Sequence, residues 1–162
     1  MNQFKESLID YIDRVENGDF SAPNKGNRRG QIDPETRIKI ETAAIETAVE
    51  FYIQRGYDIQ DRQLDNVGYD LEATKANETL LVEVKGTSVE LPSNVNVILT
   101  PNEYKVSKKS RTKYRICIVI NALNTPELFE FLWDSKRNSW FSEQSLSSLK
   151  IVESIAANLY II

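Results

Sequence analysis

Between Gly68 and Ser88 the sequence reads GYDLEATKANETLLVEVKGTS, and it sets Asp70, Glu72, Glu83 and Lys85 among residues of core character. Side chains alternate across a strand, so Asp70 and Glu72 share one face of the first run, and Leu81, Glu83 and Lys85 share one face of the second. If the two runs pair as a hairpin around Ala76-Asn77-Glu78, three carboxylates and an amine converge. Carboxylate oxygens suit a hard divalent ion such as Mg²⁺ (or Mn²⁺), usually held by one or two carboxylates plus water and substrate phosphate. An amine two residues from Glu83 on the same face would stand beside the metal-bound water, where it could orient or deprotonate it. The competing reading is an ordinary solvated face with surface charges of both signs.

Composition narrows the chemistry. The chain of 162 residues contains no histidine, which removes Ser-His-Asp hydrolysis, His-dependent nucleases and His-ligated zinc. Any acid or base is therefore Asp, Glu, Lys or Tyr. The one cysteine, Cys117, lies in the apolar run YRICIVI and reads as a small buried hydrophobe, with no sign of an oxidising compartment. No apolar run reaches the roughly 18 residues that span a bilayer, and the start MNQFKE lacks a signal-peptide profile, so a cytoplasmic protein is expected.

The elements that must position the charged pair follow from periodicity and turn chemistry. Phe4, Leu8, Ile12 and Val15 mark an amphipathic helix over residues 2–16, and the polar, Gly-rich stretch 17–31 reads as a flexible linker. Asp33-Pro34 opens a second helix, about 34–55, which Gly56 ends. It is expected to bury Ile38, Ala44, Ile45, Ala48, Val49 and Ile53, and it carries Glu41, Glu46 and Glu50. Strands are expected at 57–62, 68–74, 79–87 and 95–99. Thr100-Pro101-Asn102-Glu103 then starts a helix with a capping box, which by itself accounts for Glu103. The run 114–122 is apolar on both faces and so central, while 128–134 and Trp140-Phe141 form a peripheral hairpin around Lys136-Arg137-Asn138. The apolar tail 149–162 fits helix or strand equally. The order helix, three strands, helix, strand is that of an α/β sandwich with a mixed sheet.

Asp70 followed by Glu83-x-Lys85 resembles the PD-(D/E)xK nuclease signature. The longer string GYDLEA, VEVKGTS, LTPNEY and YRICIVINAL resembles the nuclease-like domain named after the C-terminal part of the plant protein NO VEIN, over about residues 38–134. The resemblance implies a restriction-endonuclease-like αβββαβ core with a mixed central sheet flanked by helices, occupying residues 36–162, with 1–35 as a separate helix and linker. It implies that Asp70 and Glu83 bind the metal and that Lys85 positions the nucleophile. The first helix of such nucleases often adds a Glu, here Glu46, and Asn102 would contact the phosphate or the site lysine. Tyr69 stands where the superfamily name has Pro, at a position that varies widely. A setting in restriction or phage defence, with a partner protein, is also implied.

The net charge of −4 conceals an uneven distribution. Lys105, Lys108, Lys109, Arg111, Lys113 and Arg115 lie between Tyr104 and Arg115 with no acid, leaving 14 cations against 24 acids elsewhere. Beside a Mg²⁺ site such a run would contact DNA phosphates, with Lys25, Arg28, Arg29, Arg37 and Lys39 extending the track. Three functions of different class remain: a metal-dependent DNA endonuclease, for which cutting both strands requires a homodimer or two events; a silent nucleic-acid-binding module; and a protein-interaction module using an exposed Trp133–Trp140 hairpin.

Overall fold

The computed structural model describes residues 32–92 and 95–153. The expected helix at 2–16, the linker at 17–31 with Lys25, Arg28 and Arg29, and the end of the apolar tail lie outside the described residues.

Helix α1, Pro34–Ile53, begins where the sequence signals it: the Asp33 side chain accepts from the Thr36 N–H and hydroxyl, and Pro34 fills the first turn, where no N–H is needed. It stops at Gln54, and Gly56 follows at φ +80°. Its buried stripe is Ile40, Ala44, Ala48 and Tyr52, each four residues after the last. This corrects the expected face: Ala44 and Ala48 are buried and Ile45 and Val49 partly so, but Ile38 and Ile53 are 61% and 56% exposed. The stripe turns toward Tyr52 because the sheet offers its hydroxyl a half-buried partner, Glu130, 2.5 Å away.

The strands β1 (Asp58–Asp61), β2 (Leu71–Lys75), β3 (Glu78–Gly86), β4 (Tyr114–Ile120), β5 (Glu127–Asp134), β6 (Ser139–Ser142) and β7 (Ser147–Ser148) form one seven-stranded sheet in sequence order. All neighbours are antiparallel except β3 and β4. A parallel pair needs a crossover, and helix α2, Pro101–Lys109, lies within it. The fold is therefore α/β with a mixed sheet, and its opening order α-β-β-β-α-β is the one expected. Strand β4, apolar on both faces, occupies the middle position.

Alternation sorts the core into two layers. Leu71, Ala73, Leu80, Val82, Val84, Cys117 and Val119 face α1. Leu81, Ile116, Ile118, Phe129, Phe131 and Trp140 face the other way, under Val95, Val97, Leu99 and Val106 of the crossover. The first layer is close-fitting: a Cβ on Gly86 would meet the Ala44 Cβ at 2.7 Å and the Ile40 carbonyl oxygen at 2.9 Å, so glycine lets α1 rest on β3.

Two expectations change here. Residues 95–99 are not a strand; their apolar side chains cover the sheet from an irregular segment. The hairpin expected around Lys136-Arg137-Asn138 exists and pairs Trp133 with Trp140, but Trp140 is buried and Trp133 packs against the second core layer, so the pair is no exposed interaction surface. Among the described residues no helix is long and apolar enough to cross a membrane.

Candidate active site

Asp70 stands one residue before β2. The register pairs Leu71 with Val82, and one further step places Asp70 opposite Glu83. The Asp70 N–H donates to the Val82 carbonyl at 2.9 Å, and its side-chain Oδ2 accepts from the Val84 N–H at 2.8 Å. The approach to Asp70 is held from outside the sheet. Gly68 has φ +88°, and a Cβ there would lie 2.7 Å from the Val106 Cγ2 and 3.1 Å from the Asn102 carbonyl oxygen, so only glycine lets this turn lie against α2. The Gly68 carbonyl accepts the Tyr114 hydroxyl at 2.8 Å, and the Asn102 side-chain amide donates to the Asn66 carbonyl at 2.9 Å.

Glu83 and Lys85 come from β3, which is covered on both faces. Glu83 is 1% exposed. The Lys85 ammonium lies 2.7 Å from Glu83 Oε1 and donates to Glu103 Oε2 at 2.9 Å. The two contacts differ in kind. Lys85 meets Glu103 in hydrogen-bonding geometry, whereas Glu83 Oε1 is shut off from solvent and has the Lys85 charge as its one close partner. The other oxygen, Oε2, lies 3.5 Å from the Tyr114 hydroxyl, whose one proton has its shorter partner at Gly68.

The electrostatics follow from three carboxylates around one ammonium. Burial pushes the Glu83 carboxyl up to about 8, Asp70 and Glu103 add to the rise, and Lys85 opposes it. Burial likewise raises Asp70, against the lowering effect of the Val84 N–H and Lys85. For Lys85 burial alone would lower the value, but Glu83 and Glu103 overcome it and hold the amine up at about 12. The cluster is thus short of positive charge by two, and part of that deficit is met by retaining a proton.

A divalent cation would meet the same deficit. Among the described residues no group of three or more His, Cys, Asp and Glu side chains is arranged to hold a metal ion. The residues present instead fit the sparser pattern of Mg²⁺, one or two carboxylates completed by water and substrate oxygens. Glu83 Oε1, buried with the Lys85 charge as its one close partner, is the atom that fits this role, with Asp70 beside it.

Other expected site residues lie elsewhere. Glu46 is exposed on α1, which covers the opposite face of the sheet, and it joins none of the contacts around Glu83; Glu41 and Glu50 are exposed with it. Asn102 is engaged with Asn66 and does not reach Lys85, because at the second position of α2 its amide is aimed at the turn before Gly68. Glu72 turns to the Tyr69 hydroxyl, 3.0 Å away, and the third carboxylate of the cluster is Glu103. Its capping role is real, with Thr100 and Glu103 bonding reciprocally, but the same Oε2 that accepts the Thr100 N–H at 2.8 Å also receives Lys85. Tyr114 was equally hidden, as one more apolar residue of a central strand.

The basic run divides. Lys105, Lys109 and Lys113 are exposed. Lys108 sits over the Tyr104 ring and 3.6 Å from Glu153, and Arg111 stacks on Trp133 at 3.9 Å. Arg115 falls on the α1 face, 3.7 Å from Glu130, and Lys39 on α1 pairs with Glu35. Arg37 and Lys39 therefore lie across the sheet from α2.

No curated protein and no solved structure matches the chain. A family model does, over residues 40–131, a span running from the buried stripe of α1 through Asp70, Glu83, Lys85 and Glu103 into β5. By that match the chain belongs to the family described as Protein NO VEIN, C-terminal.

Proposed function

We propose that the chain is a metal-dependent nuclease of the PD-(D/E)xK type, hydrolysing phosphodiester bonds in DNA, in a restriction or phage-defence setting. The observation that carries this reading is the convergence of Asp70, Glu83 and Lys85 on one side of the sheet, with a buried carboxylate oxygen that has the Lys85 charge as its one close partner. The α-β-β-β-α-β order and the exposed lysines of the α2 segment support it.

In this reading Asp70 and Glu83 hold Mg²⁺ or Mn²⁺, which when bound supplies a Lewis acid and an activated water. In the same reading the Lys85 ammonium, beside Glu83 Oε1, would orient or deprotonate the attacking water and offset charge on the phosphate. Asp70 is fixed through the Val84 N–H, so its free oxygen is the one available to an ion.

The second reading, a silent nucleic-acid-binding module, is favoured by one contact: the Lys85 ammonium already sits beside Glu83 Oε1. Plasmid cleavage with Mg²⁺ or Mn²⁺ separates the two. The wild type is expected to nick or linearise DNA, and Lys85→Ala to lose about 100-fold or more in rate while retaining metal binding by calorimetry. Equal cutting by wild type and Lys85→Ala, or no cutting by either, would decide against the nuclease.

A further inference from the structure

We propose that Glu103 is a positioning residue that holds the Lys85 ammonium in place through a charge contact separable from its helix-capping role. The contact stands on geometry alone; its consequence for cleavage rests on the nuclease reading.

Three observations carry the proposal. First, Lys85 is gripped by two carboxylates, with its ammonium 2.7 Å from Glu83 Oε1 on its own strand and donating to Glu103 Oε2 at 2.9 Å from a different element. Glu103 is thus the partner that ties the amine to a second element, α2. Second, Glu103 is itself held: its Oε2 accepts the Thr100 N–H at 2.8 Å, and the Thr100 hydroxyl accepts the Glu103 N–H at 3.3 Å. A carboxylate so restrained loses little side-chain freedom when it receives Lys85, and so forms a firm anchor. Third, the helix it starts presses on the turn leading to Asp70, through Val106 and Asn102 against Gly68 and Asn66. One helix N-terminus thus braces both the strand bearing Glu83 and Lys85 and the approach to Asp70.

The capping box itself supplies the test. Glutamine serves at the third position of a capping box as glutamate does. Glu103→Gln therefore retains the cap and removes the charge, while Thr100→Ala weakens the cap and leaves the charge. In ¹⁵N-labelled full-length protein, the ζ-ammonium protons of an ion-paired lysine are protected from exchange with water and give a separate signal. That signal is expected for Lys85 at full strength in the wild type and in Thr100→Ala, and is expected to exchange with water at least about 10-fold faster in Glu103→Gln with its backbone amide spectrum unchanged. Where the wild type cuts DNA, Glu103→Gln should lower kcat about 10- to 100-fold with KM and the Mg²⁺ affinity little altered. A Lys85 signal absent from the wild type, or one whose exchange is unchanged in Glu103→Gln, overturns the proposal. A wild type that does not cut DNA but shows the expected pattern of signals leaves the positioning role standing and removes the nuclease reading.

Discussion

At the scale of single residues, the informative group is Glu83, a carboxylate that the fold encloses without fully compensating. Its value is raised from 4.5 to about 8, so between these limits the folded chain retains a proton that the unfolded chain releases. The stabilising proton is fully bound below about 4.5, and the associated stability is lost as the pH rises through about 8. Asp70 is shifted in the same direction, and the rise at Lys85 acts only in the alkaline range. Metal-free protein in chelator is therefore expected to melt at a lower temperature at pH 8 than at pH 5. Each unit of difference corresponds to about 1.4 kcal/mol, or about 3–6 °C at roughly 2–4 °C per kcal/mol for a domain of this size. Glu83→Gln should flatten the profile, and an equally steep fall in that variant would assign the pH dependence to other groups. Asp70, Glu83 and Lys85 were legible because strand alternation fixes their side of the sheet. Glu103 was not, because a capping box explains a glutamate completely in local terms, and its second partner lies 18 residues earlier in the chain.

At the scale of elements, the site depends on how closely α2 lies against the turn before β2. Local signals placed most elements: Asp33-Pro34 and Thr100-Pro101 started the two described helices, and the doubly apolar run 114–122 holds the central strand, which ends at Ile120. The misjudged pieces were those decided by tertiary partners. The stripe on α1 turned toward Tyr52, whose hydroxyl meets Glu130 on the sheet face that α1 covers, and the apolar residues 95–99 cover the core without joining a ladder. Gly68 belongs to this tertiary class, since its close approach to Val106 cannot be read from GYDLEA. Gly68→Ala combines a left-handed backbone costing about 1–2 kcal/mol with overpacking against Val106 costing about 1–3 kcal/mol. Chemical denaturation should show a loss within that combined range, with Asp70 the first site residue displaced. A variant as stable as wild type would mean that the turn does not press on α2 as described.

At the scale of the whole molecule, an acidic protein is asked to bind a polyanion, and the question is whether one face is basic enough to do it. The α1 surface presents Glu41, Glu46 and Glu50 to solvent, so DNA would be repelled there. The α2 segment presents Lys105, Lys109 and Lys113, exposed and paired with no carboxylate among the described residues, beside the face that holds Glu83 and Lys85. Lys108 and Arg111 have a second task, in contact with the Tyr104 and Trp133 rings, so replacing them would disturb packing as well as charge. The clean test therefore replaces Lys105, Lys109 and Lys113 together with glutamine. Each lysine that neutralises a phosphate contributes about 0.9 to the slope of log K against log salt. The triple variant should lose affinity equally for unrelated DNA sequences, and its slope should fall by about 2 to 3 if all three make phosphate contacts. Fluorescence anisotropy across a salt series reads both quantities. An unchanged slope would move the DNA-binding surface away from α2, and a loss confined to particular sequences would mean that these lysines touch bases and not only the backbone.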